Sequence, residues 1–144
     1  MSADSSRERP TAVVRLQVPF HDLDPLQVVW HGNYLKYFEI ARDRLFEERG
    51  LHLYQYYQDR HYMFPIVRTS TKHVHPLRYG DRFEVCAELG AARVKLVVQY
   101  TLRLVDHGTL CAKGHTEQVA VRTEDLSLEL RIPTDIQKLF GVAE

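Results

Sequence analysis

Residues 93–105 limit the possible folds more than any other stretch of this chain. Val94, Leu96, Val98, Tyr100, Leu102 and Leu104 occupy every second position, with Arg93, Lys95, Gln99 and Arg103 among the residues between them. A period of two is the signature of a strand with one face buried and the other wet. Turn-forming runs flank it, Gly90-Ala91-Ala92 before and Asp106-His107-Gly108 after, the second reading as a hairpin. Residues 82–89 repeat the pattern, with Phe83, Val85, Ala87 and Leu89 on one face. Residues 66–75 and 109–122 read as further strands. Residues 13–20 read as the first, with Val14, Leu16, Val18 and Phe20 aligned. Short turns between successive strands require antiparallel pairing, because a parallel pair needs a long crossover.

One long helix interrupts this series. Asn33 stands where a helix cap would accept a backbone N–H, and Gly50 stands where a left-handed residue would end the helix near Arg49. Tyr34, Leu35, Tyr37, Phe38, Ile40, Ala41, Leu45 and Phe46 make more than one apolar stripe. Lys36, Glu39, Asp43 and Glu47 leave a single wet line, so the helix is expected to be covered on most sides. Glu39 is placed to pair with Arg42 or to hold a loop amide. Residues 51–64, rich in tyrosine and without a period, read as a loop with at most a helical turn. Thr134-x-x-Gln137 after Pro133 reads as a capping box opening a short C-terminal helix. The order strand, helix, strands gives an α+β class: an antiparallel sheet of about five strands wrapped around one long helix. The expected division is a flexible tail over residues 1–12 and a single domain over residues 13–144.

Composition narrows the function. The chain has 144 residues, formal net charge zero and 44% apolar residues. That argues against general attraction to nucleic acid or an anionic membrane. No apolar run approaches the roughly 18 residues of a membrane span, and the polar N-terminus has no signal-peptide core, so a cytoplasmic protein is expected. Cys86 and Cys111 are the only cysteines; their spacing offers neither a disulfide framework nor a zinc knuckle. His73-x-His75 puts two imidazoles on one side of a strand, but no third ligand is evident, so no metal is expected.

The densest chemistry lies in residues 21–39, HDLDPLQVVWHGNYLKYFE. Asp22 and Asp24 precede Pro25, a pattern that can build an Asx turn. His31, Gly32 and Asn33 follow at the start of the helix, where free backbone N–H groups and the helix dipole favour negative charge.

Asp22-x-Asp24, Val28-Val29, His31, Asn33-Tyr34, Tyr37-Phe38-Glu39 and Ala41-Arg42 together resemble the signature of hotdog-fold acyl-CoA thioesterases of the 4-hydroxybenzoyl-CoA thioesterase type. Pro76-Leu77, Gly80-Asp81 and Ile132-Pro133 add weaker matches, so the resemblance covers about residues 13–140. It implies a hotdog fold and hydrolysis of a thioester carried by coenzyme A or an acyl carrier protein, with no cofactor beyond the coenzyme A of the substrate. It implies that Asp24 is the catalytic carboxylate, as nucleophile or general base, and that the carbonyl oxygen meets backbone N–H groups near His31 and Gly32. The His31 side chain occurs in a subset of the family, where it orients water or touches the carbonyl. Gly32 would let substrate approach the backbone. Gln27, Trp30 and Tyr34 are candidate substrate contacts, and Arg93 and Lys95 candidate contacts for the nucleotide phosphates. Gln27 departs from the pattern, since the family usually has glycine there. A homodimer or homotetramer is expected. Two other readings share the fold: an acyl-binding protein without turnover, and a dehydratase, suggested by His61-Tyr62-Met63-Phe64-Pro65.

Overall fold

The computed structural model describes residues 9–142. β1 (Thr11–Gln17), β3 (Ile66–His73), β4 (Arg82–Ala91), β5 (Leu96–Leu104) and β6 (Leu110–Gln118) form one sheet in the order β1-β4-β5-β6-β3. Every neighbouring pair is antiparallel. β2 (Tyr62–Met63) and β7 (Val121–Arg122) make a separate small ribbon. α1 (Asn33–Glu48) is the long helix; α2 (Leu53–Arg60) and α3 (Thr134–Leu139) sit beyond its C-terminal end. Among the described residues, no helix is long and apolar enough to cross a membrane.

The alternation in β4 and β5 becomes the core. Phe83, Val85 and Ala87 on β4, and Leu96, Val98 and Leu102 on β5, are fully buried together with Phe38 and Ala41 of α1. Phe38 stacks on Tyr100 with ring centroids 4.7 Å apart. Gly114 on β6 makes this close approach possible, because a Cβ there would overlap the Phe38 ring. Burying large aromatic rings in close contact is the strongest apolar stabilisation such a layer offers.

Several local expectations are corrected. β1 runs from Thr11 to Gln17, so it begins inside the stretch assigned to the tail but ends before Phe20; Phe20 lies in a 3-10 turn and is 69% exposed. The helix does not use Asn33 as a side-chain cap: its first turn follows Gly32, and the Asn33 amide donates to the Asp22 carbonyl at 2.9 Å. Gly50 does take the left-handed stop, φ +82°. α1 is wet over a broader face than its sequence suggests, with Lys36, Glu39, Ile40, Asp43, Arg44, Glu47 and Glu48 exposed. Arg42 is buried, no ion pair joins it to Glu39 among the described residues, and its Nε and Nη1 have no partner. Residues 53–60 form a helix where a loop was expected. The capping box does not close: Gln137 instead donates to the Ile132 carbonyl at 2.7 Å. Arg93 and Lys95 occupy a bend before β5 rather than its polar face, and Val94 between them is 54% exposed.

Candidate active site

The loop between β1 and α1 is built on Asp22. Its side chain is 3% exposed. It accepts hydrogen bonds from Tyr37 Oη at 2.6 Å and Lys36 Nζ at 2.7 Å, both on the first turns of α1. Its carbonyl also accepts the Trp30 N–H at 3.0 Å. Burial alone would raise the carboxyl pKa, but hydrogen bonds from Lys36 and Tyr37 and the lysine charge outweigh it, so Asp22 lies below the usual carboxylate range. Burial and the bond to Asp22 push the Tyr37 hydroxyl well up. This network pins the loop to the helix.

Asp24 stands on that platform with a different environment. Gln27 N–H donates to the Asp24 carbonyl at 2.9 Å, closing a turn with Asp first and Pro25 second, the residues such a turn favours. Leu26 N–H donates to Asp24 Oδ1 at 2.8 Å, the Asx bond expected of this pattern. The second carboxylate oxygen, Oδ2, has no hydrogen-bond partner among the described residues. Gln27 has φ +66°, the left-handed conformation usual for glycine. The Leu23–Val29 bridge closes the loop on itself, and the Val28–Arg78 bridge and the Val29 N–H on the Leu77 carbonyl at 2.8 Å tie it to the segment after β3.

Asp24 lines a cleft of about 290 Å³ with Val28, Val29, His31, Tyr34, His73, Val74, His75 and Pro76. The backbone N–H groups of His31 and Gly32, at the start of α1, have no acceptor among the described residues. Donors in that position are ready for an anion or a developing oxyanion. The His31 ring lies 5.1 Å from Trp30 and 6.5 Å from His73, centroid to centroid. Gly32 also makes room for the Trp30 ring, which a Cβ there would overlap and push aside.

The structure therefore brings together Asp24, His31 and Tyr34. The Tyr34 hydroxyl already accepts the Leu77 N–H at 3.3 Å, so the residue presents chiefly its ring. Gln27 is exposed outside the lining, and Trp30 covers Gly32 rather than entering the cleft. Arg93 and Lys95 do not line the cleft; Lys95 donates to Glu117 Oε1 at 3.0 Å. His73 and His75, noticed in the sequence only as a metal pair, are the cleft residues that sequence reasoning did not assign to the site. His73 ends β3 and His75 lies in the bend after it, both exposed, so the fold rather than a shared strand face brings them to the cleft.

Residues 18–140 match the model of the thioesterase-like superfamily, and the chain belongs to that family. The sheet wrapped on α1 is the hotdog fold. The chain is similar to Slr0204, a 1,4-dihydroxy-2-naphthoyl-CoA thioesterase from Synechocystis, with TM-score 0.81 and 20% identity over 91% of this chain and 96% of that one. It is equally similar in fold to an aspartate-to-asparagine mutant of 4-hydroxybenzoyl-CoA thioesterase solved with 4-hydroxybenzoyl-CoA, with TM-score 0.81 and 20% identity over 91% and 99% of the two chains. In sequence it is 29% identical over 66 residues to YneP of Bacillus subtilis (strain 168), provisionally named an acyl-CoA thioesterase; the match covers 46% of this chain and 47% of YneP. The chain spans about half the length of the curated relatives it matches.

Proposed function

We propose that this protein hydrolyses acyl-CoA thioesters, releasing the free acid and coenzyme A. One observation carries the reading: Asp24 holds a carboxylate oxygen free in the same cleft where the N-terminus of α1 begins with two unengaged N–H groups. A carboxylate and an oxyanion site facing a common space are what thioester hydrolysis needs. Asp24 either attacks the carbonyl carbon, giving an acyl–aspartyl anhydride that water opens, or removes a proton from the attacking water. In both routes the negative charge on the former carbonyl oxygen is met at His31 and Gly32, and the thiolate of coenzyme A leaves. His31 lies beside this space and orients water. The reaction requires no metal or other cofactor.

Family membership and the named activities of similar proteins support the reaction class. The dehydratase alternative draws no support from His61, which ends α2 in a left-handed conformation and does not line the cleft. Arg93 and Lys95 are proposed contacts for the coenzyme A phosphates, and replacing them should raise KM for a CoA thioester but not for the corresponding pantetheine thioester. We also propose a dimer. Among the described residues β3 pairs only with β6, and Val67 on it and Val74 just after it are 53% and 52% exposed. An open apolar strand edge is a surface that proteins cover, and a second copy pairing β3 to β3 would cover it. Sedimentation of the purified chain tests this: a monomer at micromolar concentration would overturn it.

The activity itself is tested by following thiol release from short, long and aromatic acyl-CoAs with wild type and Asp24→Asn. The expected result is turnover with one acyl class, lowered in the variant by about 10²-fold or more. Equal rates in the two proteins would remove Asp24 from the mechanism. An inert wild type that still bound an acyl-CoA would favour the acyl-binding reading.

A further inference from the structure

Glu117, near the end of β6, gathers two partners on the sheet face away from the core. Lys95 Nζ donates to its Oε1 at 3.0 Å and His115 Nε2 to its Oε2 at 2.8 Å. The carboxylate is 13% exposed, against 28% for His115 and 43% for Lys95. Hydrogen bonds from His115 and Lys95 hold its pKa down to about 2. An ionised carboxylate only accepts, so His115 Nε2 carries the donated proton and Nδ1 is left to take another. Gln99 of β5 and Ser70 of β3 stand beside His115, with Glu88 of β4 beyond Gln99. Arg68 and Val97 flank Glu117; Lys72 and Thr101 flank Lys113, the outward residue before His115. Glu117 is the only carboxylate on β3, β5 and β6. Lys95 is also one of the two cations assigned above to the coenzyme A phosphates, and an ammonium already neutralised by Glu117 is a weak phosphate ligand.

We propose that Glu117 is a positioning residue that restrains Lys95, and that a proton on His115 releases it to the nucleotide end of coenzyme A. This rests on the assignment of Lys95 to the coenzyme A phosphates and adds its regulation. When a phosphate draws Lys95 away, a shielded carboxylate loses its counter-charge. His115, already in contact, takes a proton from water at Nδ1, and its neutral hydrogen bond becomes an ion pair. The charge at Glu117 is balanced again, and one proton has entered with the ligand. Linkage is reciprocal: a ligand that brings in a proton is itself bound more tightly as pH falls. An imidazole titrates between about pH 5 and 8, and that is the window of the effect. Arg68, Lys72 and Lys113 oppose the imidazolium, but they are exposed, where water and salt screen them. Glu117 is in direct contact with the ring and less exposed, so its attraction prevails.

The test is calorimetric titration of coenzyme A into wild type, Glu117→Gln, His115→Gln and Lys95→Ala. Coenzyme A binds without turnover, so the outcome does not depend on the hydrolase reading. Glu117→Gln keeps the side-chain volume and loses the charge. At about pH 8 it should bind coenzyme A about 3- to 5-fold more tightly than wild type, the scale of a half-exposed ion pair. His115→Gln should match wild type there and fall behind it by a similar factor at about pH 5.5. Near neutral pH, binding to wild type should take up a fraction of a proton that binding to His115→Gln does not. The dependence of the heat on the ionisation enthalpy of the buffer reads this directly. The phosphates of coenzyme A titrate alike in both proteins, so the difference belongs to His115. This count also stands if the loss of the Glu117 charge unsettles the strands. Equal or weaker binding by folded Glu117→Gln at the higher pH, or equal proton uptake by wild type and His115→Gln, would overturn the proposal. Lys95→Ala separates the two ways of failing. If it binds coenzyme A as wild type does, the phosphate assignment falls and the restraint with it. If it binds more weakly while Glu117→Gln gains nothing, the phosphate contact stands and only the restraint is overturned.

Discussion

Each end of α1 gathers a carboxylate, a phenol and a cation, and the two trios obtain different things. At the N-terminal end the Asp22 carboxylate gathers Tyr37 Oη at 2.6 Å and Lys36 Nζ at 2.7 Å. Beyond the C-terminal end the Asp135 carboxylate gathers Tyr56 Oη at 2.9 Å and Arg60 Nη1 at 3.0 Å. The carboxylate is 3% exposed in the first case and 45% in the second. Asp22 stands under the loop that carries Asp24, where water cannot replace a lost partner. Asp135 fastens α2 to α3 at a surface where water can. Burial therefore decides which trio fixes the site and which one only fastens a peripheral helix.

The largest expected effect comes from Asp22→Ala. The substitution leaves the Tyr37 hydroxyl buried without its acceptor, while half-exposed Lys36 can turn to solvent. We expect a loss of about 2–3 kcal/mol in denaturant titrations, with lowered activity as the Asp24 loop loosens. A loss below about 0.5 kcal/mol would mean that the loop is held by its backbone bonds alone. The same group sets an acid limit. Because the folded-state pKa of Asp22 is depressed from 3.8, the unfolded chain binds its proton first as pH falls. The stabilisation is complete above that value and is lost as pH drops through the lower folded one. Thermal melts between about pH 5 and 2 should show wild type losing stability more steeply than Asp22→Asn; parallel slopes would show that Asp22 does not contribute. Asp135→Asn should cost about 1 kcal/mol or less, leave acyl-CoA turnover unchanged, and chiefly increase hydrogen exchange in α2. An effect as large as that of Asp22→Ala would erase the distinction between the two ends.

The same contrast explains what was legible in the sequence. β4 and β5 could be read because one face of each is buried, and burial writes a period of two into the residues. The Asp24 turn could be read because Asp and Pro carry its geometry locally. α2 could not: in LYQYYQDR only Leu53 and Tyr56 pack against the core, none of its residues is fully buried, and its anchor, Asp135, lies far along the chain. The roles of Asn33 and Arg42 were misread for a related reason. Local spacing suggested a cap and an i+3 ion pair, but the Asp22 carbonyl took the Asn33 amide and packing buried Arg42 away from Glu39. His73 and His75 were visible as a pair, yet only the fold brings them to Asp24 and His31.

The smallest expected effect concerns Gln27, whose backbone holds φ +66°, a conformation that favours glycine. A residue with a Cβ pays roughly 1 kcal/mol for that conformation. Gln27→Gly removes the strain but also loosens the unfolded chain, so the net gain should be about 0.5 kcal/mol, visible as a small rise in Tm. Gln27 is exposed and outside the cleft lining, so kcat and KM should stay where they are. A higher Tm with unchanged kinetics would show that the glutamine is merely tolerated in a left-handed conformation. A higher Tm with a raised KM would show instead that its amide reaches the substrate once the cleft is filled, and that the strain is retained because the side chain is used.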